Sequence, residues 1–141
     1  MLALSTFGLA TIVACTPDQL RADPSVPHAD ESPEDRTILP EPIRVGQMSL
    51  EQALLERRSV RAYQAHPLGL DELGQLLWAA QGVTHPDGLR TAPSAGALYP
   101  LEFYAIVGDV EGLVPGVYHY SPLNHVLRQI ATGDKRAALS Q

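Results

Sequence analysis

The sequence predicts an α+β fold, helices packed on an antiparallel sheet. Three observations carry this: an amphipathic helical pattern over Leu70–Gln81, an aromatic and β-branched run over Leu101–Val107, and two shorter strand-like segments, Val117–Tyr120 and Val126–Ile130, around Ser121-Pro122-Leu123-Asn124.

The chain has 141 residues, room for one domain, and its 45% apolar content is ordinary for a globular protein. A net charge of -6 and a pI near 5.2 exclude a general nucleic-acid binder, which needs a basic face to neutralise phosphates.

The amino terminus divides from the rest by composition. Met1–Ala14 is an uninterrupted apolar and small-residue run, too short to span a bilayer and of the length of a secretion-signal core. Its end, Ile12-Val13-Ala14-Cys15, resembles the bacterial lipoprotein box, which makes Cys15 the expected lipidation site and places the protein on a membrane of the bacterial cell envelope. No Lys or Arg precedes the apolar run. The expected organisation is a signal over residues 1–15, a tether over 16–48 and a domain over 49–141. From Thr16 to Gln47 there are six prolines, and seven Asp or Glu against three Arg. Such a segment buries too little apolar surface to offset its ordering entropy, so a disordered spacer is expected, with His28 in it.

Ser49 followed by Gln52 reads as a capping box, with Leu50, Ala53 and Leu54 on one face of a helix ending at Glu56 or Arg57. The next residues are Arg57-Arg58-Ser59-Val60-Arg61. Arginines at a helix carboxyl end complement its dipole; alternatively, their guanidinium forks can hold a phosphate with Ser59 as a further donor. In the second helix Leu70, Leu73, Leu77 and Ala80 share a face, Asp71 and Glu72 suit the first turn, and Gly82 suits the C-cap. Trp78 flanks that face as a packing residue.

A turn at His85-Pro86-Asp87-Gly88 leads into Leu89–Pro100 (LRTAPSAGALYP), a loop of small residues whose backbone can lie against something flat or anionic. Leu101–Val107 is apolar on both faces, as a central strand is. Pro122 presets a turn that makes the last two strands a hairpin, and Gly133–Gln141 has the composition of a helix start.

Several chemistries are absent. Ser94 lacks a glycine-flanked nucleophile elbow, and there is neither a Gly-Lys-Ser/Thr phosphate loop nor a dinucleotide glycine fingerprint. The histidines lack metal-ligand spacing, although His119 and His125 flank the hairpin and could approach one another. No acid pair stands out as a catalytic couple, which makes a bound cofactor attractive as the carrier of the chemistry.

Taken together, Arg57-Arg58-Ser59-Val60-Arg61, the Leu73–Gly82 stretch LGQLLWAAQG, the loop LRTAPSAGALYP and the Pro115–Tyr120 strand resemble the nitroreductase-like FMN flavoenzymes, specifically the SagB/ThcOx-type dehydrogenase branch. The similarity covers about Leu50–Leu139. It implies a nitroreductase-like FMN-dependent fold and a homodimer with FMN at the subunit interface. The RRSxR segment then places Arg57, Arg58, Ser59 and Arg61 on the phosphate and ribityl chain. The loop, reached from the partner subunit, places Pro93, Ser94 and Ala95 along the isoalloxazine, with Ala97 where the wider family has a polar residue. The implied chemistry is two-electron oxidation of azolines in peptides to azoles, with NAD(P)H-dependent reduction of small nitro compounds or quinones as the alternative enzyme. A non-catalytic lipoprotein module is the alternative outside catalysis. The family's later half has no counterpart here, which implies a truncated domain that binds FMN weakly or not at all. No catalytic residue is identified.

Overall fold

The computed structural model describes residues 35–139 and, for the backbone alone, residues 10–15. Five strands form one antiparallel sheet: β1 (Ala10–Cys15), β2 (Arg36–Ile38), β3 (Glu102–Val107), β4 (Gly116–Ser121) and β5 (Val126–Thr132), in the spatial order β1-β3-β4-β5-β2. The helices are α1 (Leu50–Glu56), α2 (Leu70–Gln81) and a final turn α3 (Arg136–Leu139).

Alternation along the strands builds the core. Tyr118 and Tyr120 of β4, Ala105 and Val107 of β3 and Leu127 of β5 are buried, and Leu73 and Leu77 of α2 complete the same cluster. The small Ala105 stands opposite Tyr118 in the β3–β4 register, so a large and a small side chain share that layer. At Gly116 an added Cβ would lie 2.5 Å from the Ala131 carbonyl oxygen, so the start of β4 needs glycine to approach β5. The register shifts there between Val117 and Tyr118 as a bulge.

The buried face of α2 is Leu73, Gly74, Leu77 and Gln81, a tighter stripe than the expected Leu70, Leu73, Leu77 and Ala80. Its start is held by the Glu72 carboxylate, which accepts from Gly69 N–H at 2.9 Å. Two backbone bonds, Leu68 N to Asp109 O and Glu111 N to Leu68 O, tie the approach to α2 to the segment leaving β3.

The folded part reaches back to Arg36, ahead of the expected boundary at Ser49. The composition of the tether hid three contacts: Arg36–Ile38 pairs with β5, Leu39 is buried in the core, and Gln75 of α2 bonds both backbone groups of Ile43, at 2.7 and 3.1 Å. Gly74 makes room for this strap, since an added Cβ would sit 3.4 Å from His125 Nε2 and 3.5 Å from Leu39 Cβ.

At the other edge, β1 runs in register along β3 from Ala10 opposite Val107 to Cys15 opposite Glu102. These residues were expected to close an export signal; Thr11, Ile12 and Val13 are also good strand formers, and they cover an edge of β3. Met1–Leu9 and the part of the tether over 16–34, His28 included, lie outside the described residues. Among the described residues, no helix is long and apolar enough to cross a membrane.

Two features of α1 differ from expectation. Ser49 Oγ does accept from Gln52 N at 3.1 Å, but the Gln52 side chain bonds Glu56 at 3.0 Å instead of completing the box. The expected apolar face of α1 packs on nothing described: Leu50 is 70% and Leu54 66% exposed.

Candidate functional site

The arginine segment leaves α1 at its carboxyl end. Arg58 turns back, donating at 2.8 Å to the carbonyls of Leu55 and Arg57, so one arginine caps the helix as dipole arguments anticipate. The side chains of Arg57, Ser59 and Arg61 are exposed and make no hydrogen bond or ion pair among the described residues. Three of the four predicted phosphate-holding residues therefore keep their donors.

The loop is built differently. α2 stops because Gly82 lets the Trp78 indole lie against its Cα, where an added Cβ would come within 2.0 Å of Trp78 Cδ1. Trp78 also donates to Val83 O at 3.4 Å, which makes it a brace for the helix end as well as a packing residue. A small hairpin follows, closed by the Val83–Arg90 bridge and by Thr84 N to Leu89 O. Thr91 anchors it to α2 through N to Gly82 O at 2.9 Å and Oγ1 to Trp78 O at 3.2 Å.

Beyond that anchor the backbone enters a tight turn, a short 3₁₀ segment at Ala95–Ala97. Gly96, Ala97 and Tyr99 have φ of 62°, 52° and 43°, in the left-handed region that non-glycine residues seldom enter. Such backbone persists only where neighbours impose it. The neighbours here are Ser94, whose Oγ accepts from Tyr99 N at 2.9 Å, and Arg90, whose backbone N–H donates to the Tyr99 hydroxyl at 3.1 Å. The Arg90 guanidinium lies 4.6 Å from the Tyr99 ring centroid and reaches Gln81 Oε1 at 3.4 Å, while its Nε is buried without a hydrogen-bond partner. Pro93, Ala95, Gly96 and Ala97 are exposed, and Ser94 is half-buried.

Each of the predicted site residues in the domain thus sits on one of two segments, Arg57–Arg61 or Pro93–Ala97. No hydrogen bond or ion pair joins the two segments. Arg90, Tyr99 and Gln81, which join in one set of contacts behind the loop, were not singled out from the sequence, although Arg90 and Tyr99 lie inside that loop; only their mutual contact distinguishes them from ordinary polar residues.

The two hairpin histidines do not meet. His119 bonds Glu102 at 2.7 Å, whereas His125 takes the left-handed turn position and bonds Tyr120 and Pro40 on the other side of the sheet. Among the described residues no group of His, Cys, Asp and Glu is placed to hold a metal.

A helix-and-sheet domain with an arginine segment and a braced small-residue loop is the arrangement that known proteins can be compared with. Residues 54–141 match the Nitroreductase family, and the chain belongs to it. Over 86 residues it is 50% identical to the nitroreductase-family protein MJ1384 of Methanocaldococcus jannaschii, covering 61% of this chain and 43% of that protein. Over 42 residues it is 48% identical to the trifolitoxin-processing protein TfxB of Rhizobium leguminosarum bv. trifolii, covering 29% of this chain and 11% of TfxB. The crystal structure of a nitroreductase-family protein from Ralstonia eutropha JMP134 superposes with a TM-score of 0.60 at 35% identity, over 72% of this chain and 46% of that one. The chain therefore spans under half the length of the relatives it matches, and its fold is nitroreductase-like over that part.

Proposed function

We propose that this chain is part of an FMN-dependent oxidoreductase of the SagB/ThcOx type, which oxidises azoline rings in peptides to azoles. The observation that carries the choice of branch is the likeness to TfxB, a protein named for processing trifolitoxin, on top of membership of a family of oxidoreductases. FMN fits the residues present. Arg57, Ser59 and Arg61 keep their donors for a phosphate and a ribityl chain, and Arg58 can add its remaining N–H groups. Pro93, Ala95 and Ala97 offer a surface without bulk, and Ser94 Oγ, already accepting from Tyr99, still has its own hydrogen to donate. When bound, FMN supplies an acceptor for a hydride; the chain's share is binding and orientation.

The proposal includes a homodimer with FMN at the interface, in which one subunit's arginines meet its partner's loop; no hydrogen bond or ion pair joins the two segments within one chain. Exposure of Leu50, Leu54 and Leu55 on α1 supports the same reading. Lipidation at Cys15 and a place on the cell envelope belong to the proposal too; cleavage before Cys15 would remove Ala10–Ala14, so the pairing of β1 with β3 would belong to the uncleaved chain alone. Mass spectrometry of the amino terminus tests this: a diacylglyceryl group on Cys15 is expected, and an intact Met1 refutes the anchor.

A second reading, NAD(P)H-dependent reduction of nitro compounds or quinones, is favoured by the name of MJ1384. Incubation of the protein and FMN with a thiazoline-containing peptide, and separately with NADPH and a nitroaromatic compound, separates the two. Loss of a hydrogen molecule's mass from the peptide supports the first; nitro reduction without peptide oxidation supports the second. Neither activity, together with no response to FMN, supports a non-catalytic interaction module.

A further inference from the structure

We propose that Arg90 is a positioning residue that sets the shape of the ligand-facing loop by clamping Tyr99. Three contacts converge on that tyrosine, and a fourth holds the arginine. Arg90 holds the hydroxyl through its backbone N–H at 3.1 Å and the ring through its guanidinium at 4.6 Å from the centroid. Ser94 holds the tyrosine's own N–H at 2.9 Å. Gln81, buried at the end of α2, receives Arg90 Nη1 at 3.4 Å and fixes the guanidinium from behind.

The loop between these anchors carries the energetic cost. A tyrosine with φ of 43° and an alanine with φ of 52° do not hold that backbone unaided. Arg90 makes no salt bridge among the described residues, and its Nε is buried without a partner. A half-buried guanidinium whose Nε is buried and unpartnered, spent on an aromatic face and a neutral amide, is an expensive arrangement for packing alone. Its consequence is a rigid turn that presents Ala95–Ala97 outward in one shape. Lysine cannot replace it, because a point charge on a flexible stem does not stack flat and reach Gln81 at once.

The effect on the cofactor rests on the FMN reading above; the effect on the loop does not. The test therefore uses the full chain in two steps. Backbone amide NMR without ligand follows Gly96, Ala97 and Tyr99 in the unmodified protein, in Arg90→Lys and in Tyr99→Phe. FMN affinity is then measured by flavin fluorescence quenching. Arg90→Lys should move these three amides toward unstructured values while leaving the sheet resonances in place, and should weaken FMN about 10-fold. Tyr99→Phe, which keeps the ring and loses only the hydroxyl, should do the same to a smaller degree, about 3-fold. Should Arg90→Lys fail to fold, Tyr99→Phe carries the test alone. Unchanged loop amides in the folded variants overturn the proposal, as does FMN binding that is unaffected when the loop has moved. A displaced loop in the variants with no FMN binding by the unmodified protein supports the clamp and refutes the cofactor reading instead.

Discussion

The Tyr120 hydroxyl lies 2.9 Å from Nδ1 of His125, and Nε2 of the same ring meets the Pro40 carbonyl at 3.0 Å. The carbonyl can only accept, so in the neutral ring Nε2–H donates to it and Nδ1 accepts the tyrosine proton. A core residue, a turn residue and the strap ahead of the helices are thereby joined in one chain of hydrogen bonds.

That chain has a pH signature. Burial pushes the Tyr120 hydroxyl up to about 12 from 10.0, with the Arg90 charge pulling it back down. A raised tyrosine value means the folded state keeps its proton where the unfolded state has lost it. The contribution is fully present below pH 10 and is lost as pH rises toward about 12. Denaturant melts across this window should show stability falling by on the order of 2 kcal/mol, and Tyr120→Phe should flatten the fall. A phenolate absorbance titration should show one of the five tyrosines ionising last.

The strap is held by Gln75 as well as by His125. Gln75→Ala removes both bonds to Ile43, which should cost about 1 kcal/mol and speed amide exchange at Ile43 roughly 5-fold. Exchange unchanged at Ile43 would show that the strap is held elsewhere.

Gly74 distinguishes tolerable from intolerable filling at the same contact. Gly74→Ala meets His125 Nε2 at 3.4 Å and gains helix propensity, so its stability should stay within about 1 kcal/mol of the parent. Gly74→Leu has nowhere to go without displacing Leu39 or His125, and should lose about 1–3 kcal/mol. Leu77→Ala, emptying a fully buried position, should lose about 2–5 kcal/mol. Thermal melts rank the three.

α2 and β4 were legible because periodicity reports burial and each buries one face, whereas β3, buried on both faces at Ala105–Val107, was legible as a continuous apolar run. Leu73 and Leu77 recur at helical spacing, and Tyr118 and Tyr120 alternate with half-buried neighbours. The strap was not legible, because a single Leu39 among prolines and acids has no period; its stability comes from Gln75 and His125, far away in sequence. α1 forms over the expected residues, Leu50–Glu56, but a pattern states which face is apolar and not what covers it. In the loop, the small residues were readable, whereas the left-handed turn at Ala97 and Tyr99 was not, since alanine and tyrosine carry no signal for such backbone.

Arg57 and Arg61 are proposed to hold the phosphate of FMN, and a thermal melt of the purified full chain with increasing FMN reads that contact out. A ligand at ten times its dissociation constant adds about 1.4 kcal/mol, which in a domain of this size raises Tm by about 5–10 °C. A saturable rise of that order is expected, with no rise in Arg57→Ala/Arg61→Ala. No rise in the parent chain at any FMN concentration, or an equal rise in the double variant, would contradict it.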